Sequence, residues 1–393
     1  MQTILPSTTK RYIPSLTGMR ALAAFMVFIC HNPFSKVGPG TLLPEWANAF
    51  LETFSIGVSI FFVLSGFLIT LRYAENIQLS RNWIVKYTRN RMARIYPMYF
   101  LVTIATFAAS QFSLAYDPSR VWKYFSATDK GLALFLNLTF LRGFFSNFCF
   151  TLAGQGWSLT VEETFYLIAP FILLTAGRRV KLLPVWAVGL LATGFALAAI
   201  GHTWPTQLYG FFKNSYFMLN WTFFGRCLEF IAGMALGLWV LKHPAQQRAS
   251  SWLTYGGVAW ILSCMLILTR FTFGVPAADI PGLTYAPAII LHNLVLPVGI
   301  VALFWGLMHE QSSLRRILET KLFDLLGKSS YAFYLVHVGI LNFFIEYNLT
   351  TNVWIKFVLM NVVSIALYKL VEHPVHRWLV SGKPAQAARL TAA

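Results

Sequence analysis

The chain has 393 residues, of which 57% are hydrophobic, 16% aromatic and 11% charged, and its formal net charge is +17. Soluble domains carry about 25% charged residues, so this composition excludes an ordinary soluble protein and points to lipid as solvent. The basic excess does not mark a nucleic-acid binder, because the cations fall in short loops between apolar runs and form no patch on a soluble face.

Apolar runs of about 20 residues, enough to cross a ~30 Å hydrocarbon core, predict helices over 15–33, 53–72, 94–112, 157–176, 183–201, 223–241, 252–270, 285–308, 330–346 and 354–372. The fold class is therefore an all-α integral membrane protein with about ten transmembrane helices. Residues 1–380 read as one transmembrane domain and 381–393 as a short disordered tail. The first run ends in CHNPF, with no small-residue cleavage site, and reads as a retained helix. Residues 131–142 are too short to span and predict a re-entrant or interfacial helix. Most lysines and arginines fall in the segments that alternate onto the side of the N-terminus. The positive-inside rule then places both chain ends in the cytoplasm. Cys30, Cys149, Cys227 and Cys264 show no metal spacing, and three lie in apolar runs. They read as packing residues, with no disulfide and no metal site expected.

Ionisable groups inside a membrane are costly and mark function or internal pairing. On the first helix, GMRALAAFMVFICH places Arg20 near the inner boundary and His31 roughly 16 Å above it. An imidazole there can take a proton from a hydroxyl or simply cap the helix. On the second helix, Ser65-Gly66 permits close approach or a bend; as a nucleophile Ser65 would need an adjacent base. The loop RNWIVKYTRNRMARIYP carries Arg91 and Arg94 on one face. It anchors topology, and its cation density also suits a phosphate-rich ligand.

The fourth helix enters with WSLTVEETFYLIAP. Its Ser158 reads as a helix start, and Glu162 is expected level with His31, orienting that ring as a carboxylate orients a catalytic imidazole. On the sixth helix Arg226 and Glu229 share a face. They form an internal salt bridge, or they present a cation to an acceptor or a developing oxyanion. Ser330, Tyr334 and His337 make a polar stripe on the ninth helix, which either bonds a neighbour or lines a cavity, with Tyr334 and His337 then joining Arg226 and Glu229 in an acceptor or oxyanion site. Trp221, Phe223 and Phe224 near the outer mouth suit sugar stacking as well as ordinary interfacial anchoring.

These segments together resemble the acyltransferase 3 family of bacterial integral-membrane O-acyltransferases. Arg20 and His31 match its R-x10-H signature; FFVLSGFLIT, RNRMARIYP, WSLTVEETFYLIAP, FFGRCLEFIAG, GKSSYAFYLVH and VEHPVHRWL are similar to its later motifs, in order, over nearly the whole chain. The resemblance implies an acyltransferase 3 helix bundle in the bacterial cytoplasmic (inner) membrane, without the C-terminal SGNH domain of some members. It implies transfer of an acyl group, by default acetyl, from cytoplasmic acyl-CoA (acetyl-CoA) to a hydroxyl of a sugar, glycan or small molecule. Acyl-CoA is then a co-substrate, and no metal or nucleic acid is involved. His31 is the expected catalytic residue; Arg20, Arg91 and Arg94 serve the donor. Direct transfer and an acyl-histidine intermediate both stay open. A transporter or flippase of a lipid-linked glycan is the competing reading, with matched broken helices as its signature; no matched pair is visible.

Overall fold

In hydrocarbon, backbone groups have no water to bond, so apolar segments close their hydrogen bonds internally as helices. The computed structural model describes residues 12–32, 43–112, 122–177, 179–204, 208–243, 248–272 and 286–381. Apart from Ser381, the tail expected over 381–393 lies outside the described residues. The elements are α1 (Pro14–His31), α2 (Glu45–Glu52), α3 (Gly57–Tyr73), α4 (Arg81–Phe112), α5 (Ala127–Leu138), α6 (Trp157–Ala176), α7 (Leu183–Thr203), α8 (Ser215–Trp221) and α9 (Phe223–Lys242). They continue with α10 (Trp252–Thr272), α11 (Ala286–Ile290), α12 (Leu296–His309), α13 (Ser313–Leu318), α14 (Lys321–Val336), α15 (Ile340–Asn348), α16 (Val353–Leu367) and α17 (His373–Ser381). Short π turns join α11 to α12 and α16 to α17. Among the described residues, nine helical stretches are long and apolar enough to cross a membrane.

Two predicted spans differ in shape. The third helix begins at Arg81, not residue 94, so the basic segment is helical rather than a loop. Ser80 starts it, with its hydroxyl accepting from the Trp83 N–H at 3.3 Å and its carbonyl from the Ile84 N–H at 2.9 Å. An apolarity window cannot see such an extension, because the added turns are polar. The predicted helix 330–346 is broken: α14 ends at Val336, and Gly339, at φ +96°, turns the chain before α15. Glycine reaches that region without a Cβ clash, and the break falls beside His337. The short helix expected over 131–142 is α5, fixed by a capping box between Ser126 and Asp129.

The core is set by close backbone contacts. α3 and α9 pack tightly along their length, and α1 lies against α3 and α14. At Gly66 an added Cβ would sit 2.1 Å from the Phe230 carbonyl oxygen, and at Gly233 1.9 Å from that of Val63. Small residues that let backbones touch are how membrane helices gain packing energy. Gly66→Ala is expected to cost about 1–3 kcal/mol, read as a lowered thermal midpoint of the detergent-purified protein; an unchanged midpoint would mean the helices part freely. On the other side α10 and α12 form a hairpin closed by buried Glu310. Its carboxylate accepts from the N–H groups of Leu253 (3.1 Å) and Thr254 (2.8 Å) and from the hydroxyls of Thr254 (2.8 Å) and Ser250 (3.1 Å). Burial pushes this carboxyl up, and the four donors outweigh it, leaving it below the ordinary glutamate value.

Candidate active site

The start of α1 and α4 and the end of α3 meet at one end of the bundle and bring Arg20, Arg72, Arg91 and Arg94 around a cavity of about 1130 Å³. That exceeds the ~300–1,000 Å³ of ordinary small-molecule pockets. The Arg91 guanidinium lies 5.7 Å from the Tyr73 ring centre and 5.5 Å from that of Tyr166. Flat cation–ring contacts of this kind hold an arginine in place while leaving its edge for an anion. We refer to this as the basic end. The three arginines expected to serve one ligand are thus gathered in one cavity.

Glu162 faces the same cavity. Its Oε1 accepts from the Ser65 hydroxyl at 2.5 Å and from the Tyr166 hydroxyl. The expectation that it orients the His31 ring is not met. Ser158 does not cap α6; its hydroxyl reaches the Gln155 carbonyl at 3.0 Å and the Tyr334 hydroxyl at 2.7 Å. It is Gln155 and Ser158 that touch α14 next to His337, and Glu162 lies about 6 Å along α6 from Ser158. Gln155, just before α6, bonds the Leu335 carbonyl, so it is the very start of α6, not Glu162, that is tied to α14. Ser65, in turn, does have a carboxylate beside it.

Val58, Phe61, Ser158 and Tyr334 also line the cavity. The Tyr334 ring meets Phe61 edge-on at 5.9 Å, and its hydroxyl also reaches the Gln155 carbonyl at 3.1 Å. One layer beyond, the His337 ring centre is 5.4 Å from that of Tyr334. His337 contacts His31, with Nε2 of His337 3.2 Å from Nδ1 of His31. Nδ1 of His31 is 2.9 Å from the Val27 carbonyl, and Nδ1 of His337 is 2.6 Å from the Tyr334 carbonyl. Carbonyls only accept, so both Nδ1 atoms carry the proton. The His337 Nε2 lone pair then faces the Nδ1–H of His31. That leaves Nε2 of His31 as the basic atom, without a partner among the described residues, on a side chain that stays exposed. His31 does not line the cavity; Tyr334 stands between.

The expected acceptor or oxyanion cation is already engaged. Nε and Nη2 of Arg226 bond Glu229 at 2.7 and 2.8 Å, Nη1 reaches the Asn220 carbonyl at 3.3 Å, and Nη2 the Ser59 hydroxyl at 3.2 Å. Its guanidinium packs 5.2 Å from the Phe62 ring centre and 5.9 Å from that of Trp157. Both members are buried. This is the internal salt bridge, tying α9 to α3 and α8. Trp221 packs edge-on between Phe150 and Trp157, at 4.9 and 4.7 Å.

The arrangement is a basic cavity with an imidazole pair behind its Tyr334 wall. The acyltransferase 3 profile, described as an acyltransferase domain, matches residues 13–369. The chain belongs to this family. It is 28% identical over 347 residues to the acyltransferase MdmB of Streptomyces mycarofaciens, covering 84% of this chain and 79% of MdmB. It is also 28% identical over 347 residues to the peptidoglycan O-acetyltransferase OatA of Listeria monocytogenes, covering 85% of this chain and 50% of that protein. Against the O-acetyltransferase OatA of Staphylococcus aureus the identity is 23% over 384 residues, covering 93% of this chain and 58% of the relative. The chain thus spans roughly half the length of the OatA proteins it matches. No solved structure matches it. It is an integral-membrane acyltransferase, and the transporter reading gives way to an enzyme.

Two residues that organise this acyltransferase 3 site escape a reading of its sequence. Arg142 is fully buried, and its two terminal nitrogens donate to the Asn137 side chain (2.6 Å) and the carbonyls of Thr151 (2.5 Å) and Ala153. It holds the turn that delivers Gln155 and Ser158 to α14. Nothing near Arg142 in the sequence marks it, since loop arginines are ordinary. Lys356, buried on α16, bonds Glu346 at 2.8 Å and the side chain of Asn32, next to His31, at 3.2 Å. A signal did exist for this one: a lone lysine inside VWIKFVLM.

Proposed function

We propose that the protein transfers an acyl group, acetyl by default, from cytoplasmic acyl-CoA to a hydroxyl of a glycan reached from the opposite side of a bacterial inner membrane. The observation that carries this reading is the single cavity running from Arg20, Arg91 and Arg94 to Tyr334, one side-chain layer below the His31–His337 pair. The arginines take the phosphates of the donor, and the thin pantetheine arm follows the cavity toward His31. The positive-inside rule puts the basic end in the cytoplasm, where acyl-CoA resides.

His31 Nε2 takes the proton of the acceptor hydroxyl as its oxygen attacks the thioester carbonyl. The C–S bond then breaks, and the coenzyme A thiolate leaves with the proton returned by His31. His337 holds the His31 ring in the tautomer this needs. Glu162 balances the arginine charge on the cavity wall and, in this geometry, acts on the donor side. Relatives named for peptidoglycan favour a glycan acceptor.

The test is purified protein in lipid nanodiscs with acetyl-labelled acetyl-CoA and a candidate glycan. Label appearing in an alkali-labile ester on the glycan is the expected result. Binding of acetyl-CoA without any transfer, across glycan and small-molecule hydroxyls alike, would overturn the reading.

A further inference from the structure

The cavity at the basic end holds an aromatic platform beside its arginines. Trp83 and Tyr87, one turn apart on α4, stack with ring centres 5.0 Å apart and planes 10° apart. Tyr73 of α3 meets them edge-on, at 5.8 and 4.9 Å. Tyr87 is buried and its hydroxyl is fixed on the Tyr166 carbonyl at 2.7 Å, so the stack has a rigid back. Trp83 is only partly buried and lines the cavity.

Next along the same helix come Asn90, Arg91 and Arg94. Positions 83, 87, 90, 91 and 94 recur at helical spacing and form one stripe. Asn90 and Arg91 are each 7% exposed, and the Asn90 Oδ1 acceptor and the Arg91 Nε donor have no hydrogen-bond partner. Buried polar atoms are nearly always bonded. The two residues that carry this orphan acceptor and orphan donor both line the cavity, which suits a ligand that carries donors and acceptors together.

The geometry points to a nucleoside subsite, in which the adenine of acyl-CoA stacks on Trp83 with Tyr87 behind it. The nucleoside supplies the hydrogen-bond donor for Asn90 Oδ1, and the phosphates continue to Arg91 and Arg94. This assignment rests on the acyl-CoA reading above and deepens it. The order along the stripe, aromatic, amide, arginines, is the order base, ribose, phosphates in the donor. The axial length from Trp83 to Arg94, about 16 Å, gives those groups room in that sequence. Stacking also explains why a tryptophan rather than another cation lies at the rim, since a purine offers a large π face. The bland alternative is a tryptophan that anchors α4 at the lipid interface.

Two donors, compared in wild type and in Trp83 variants, separate these possibilities: acetyl-CoA and S-acetyl-4′-phosphopantetheine, which lacks the nucleoside together with its 3′- and 5′-phosphates. In nanodiscs, wild-type protein is expected to show a KM for acetyl-CoA at least about tenfold lower than for the truncated donor. Trp83→Ala raises the acetyl-CoA KM about tenfold with kcat kept and leaves the truncated donor unaffected. Trp83→Phe restores most of the difference, and Asn90→Leu reproduces part of the loss. Direct titration with adenosine 3′,5′-bisphosphate follows the same ranking. Equal KM values for the two donors in wild type, or parallel shifts for both in Trp83→Ala, would overturn the subsite and leave acyl-CoA as donor. Should Trp83→Ala fail to fold, Trp83→Phe and Asn90→Leu, each read on both donors, still decide. Wild-type protein that binds neither acetyl-CoA nor the bisphosphate overturns the donor assignment itself.

Discussion

Replacing His31 by alanine is expected to cut acyl transfer by about 10²–10⁴-fold, the usual worth of a general base, while acetyl-CoA still binds with its wild-type Kd. The second half of this result follows from geometry. His31 does not line the cavity that holds the arginines, and Tyr334 lies between them. Its loss therefore removes a proton acceptor and no donor contact. His337→Ala is expected to do less damage, because it leaves Nε2 of His31 in place and removes only the partner that orients the ring. Initial rates with labelled acetyl-CoA, set beside equilibrium binding of the same donor, measure both halves. A folded His31→Ala enzyme with normal turnover would end the assignment. Label trapped on wild-type protein without acceptor, and absent from His31→Ala, would move the chemistry to an acyl-histidine intermediate.

Removing Glu229 alone is expected to destabilise the protein by about 3–5 kcal/mol, because it leaves the buried Arg226 charge without its partner. Against a total stability of about 5–15 kcal/mol, that is enough to deplete folded protein from the membrane. Replacing both residues, as in Arg226→Leu with Glu229→Leu, should recover most of the loss, since buried ion pairs are often no better than apolar side chains of like volume. The yield of monodisperse protein in detergent and its thermal midpoint report the comparison. The double variant also answers a question of chemistry. Activity near wild type in it makes Arg226 a strut between α9, α3 and α8. A loss beyond about 10²-fold at a normal midpoint would give Arg226 a part in stabilising the oxyanion.

The helices were legible because hydrocarbon thickness fixes their length. The arginine cavity was legible for a related reason: Arg20, Arg91 and Arg94 each sit at the basic end of a span whose direction the loops declare. What was not legible depended on neighbours. His31 finds its partner 306 residues away, in His337, and no spacing rule connects two separate helices. The surroundings of Glu162 were misjudged because Arg142 holds a turn that brings Gln155 and Ser158, not Glu162, against α14. The extension of α4 was hidden by its own polarity, and with it the aromatic platform at Trp83 and Tyr87. The break after His337 hung on one glycine at 339, in a stretch whose apolarity read as continuous.

The layer at Tyr334 has a consequence for the cell as a whole. On the transfer proposed above, a membrane protein hollowed from one face and working at the other is half of a pore. Each elementary charge that leaks down a 100 mV potential dissipates about 2.3 kcal/mol, so the remaining half has to stay sealed between turnovers. On that reading Tyr334, latched to Ser158 and Gln155 and packed on Phe61, is the side-chain layer placed to make the seal. Its loosening would appear first as a proton conductance across the bilayer, before any fault in the chemistry.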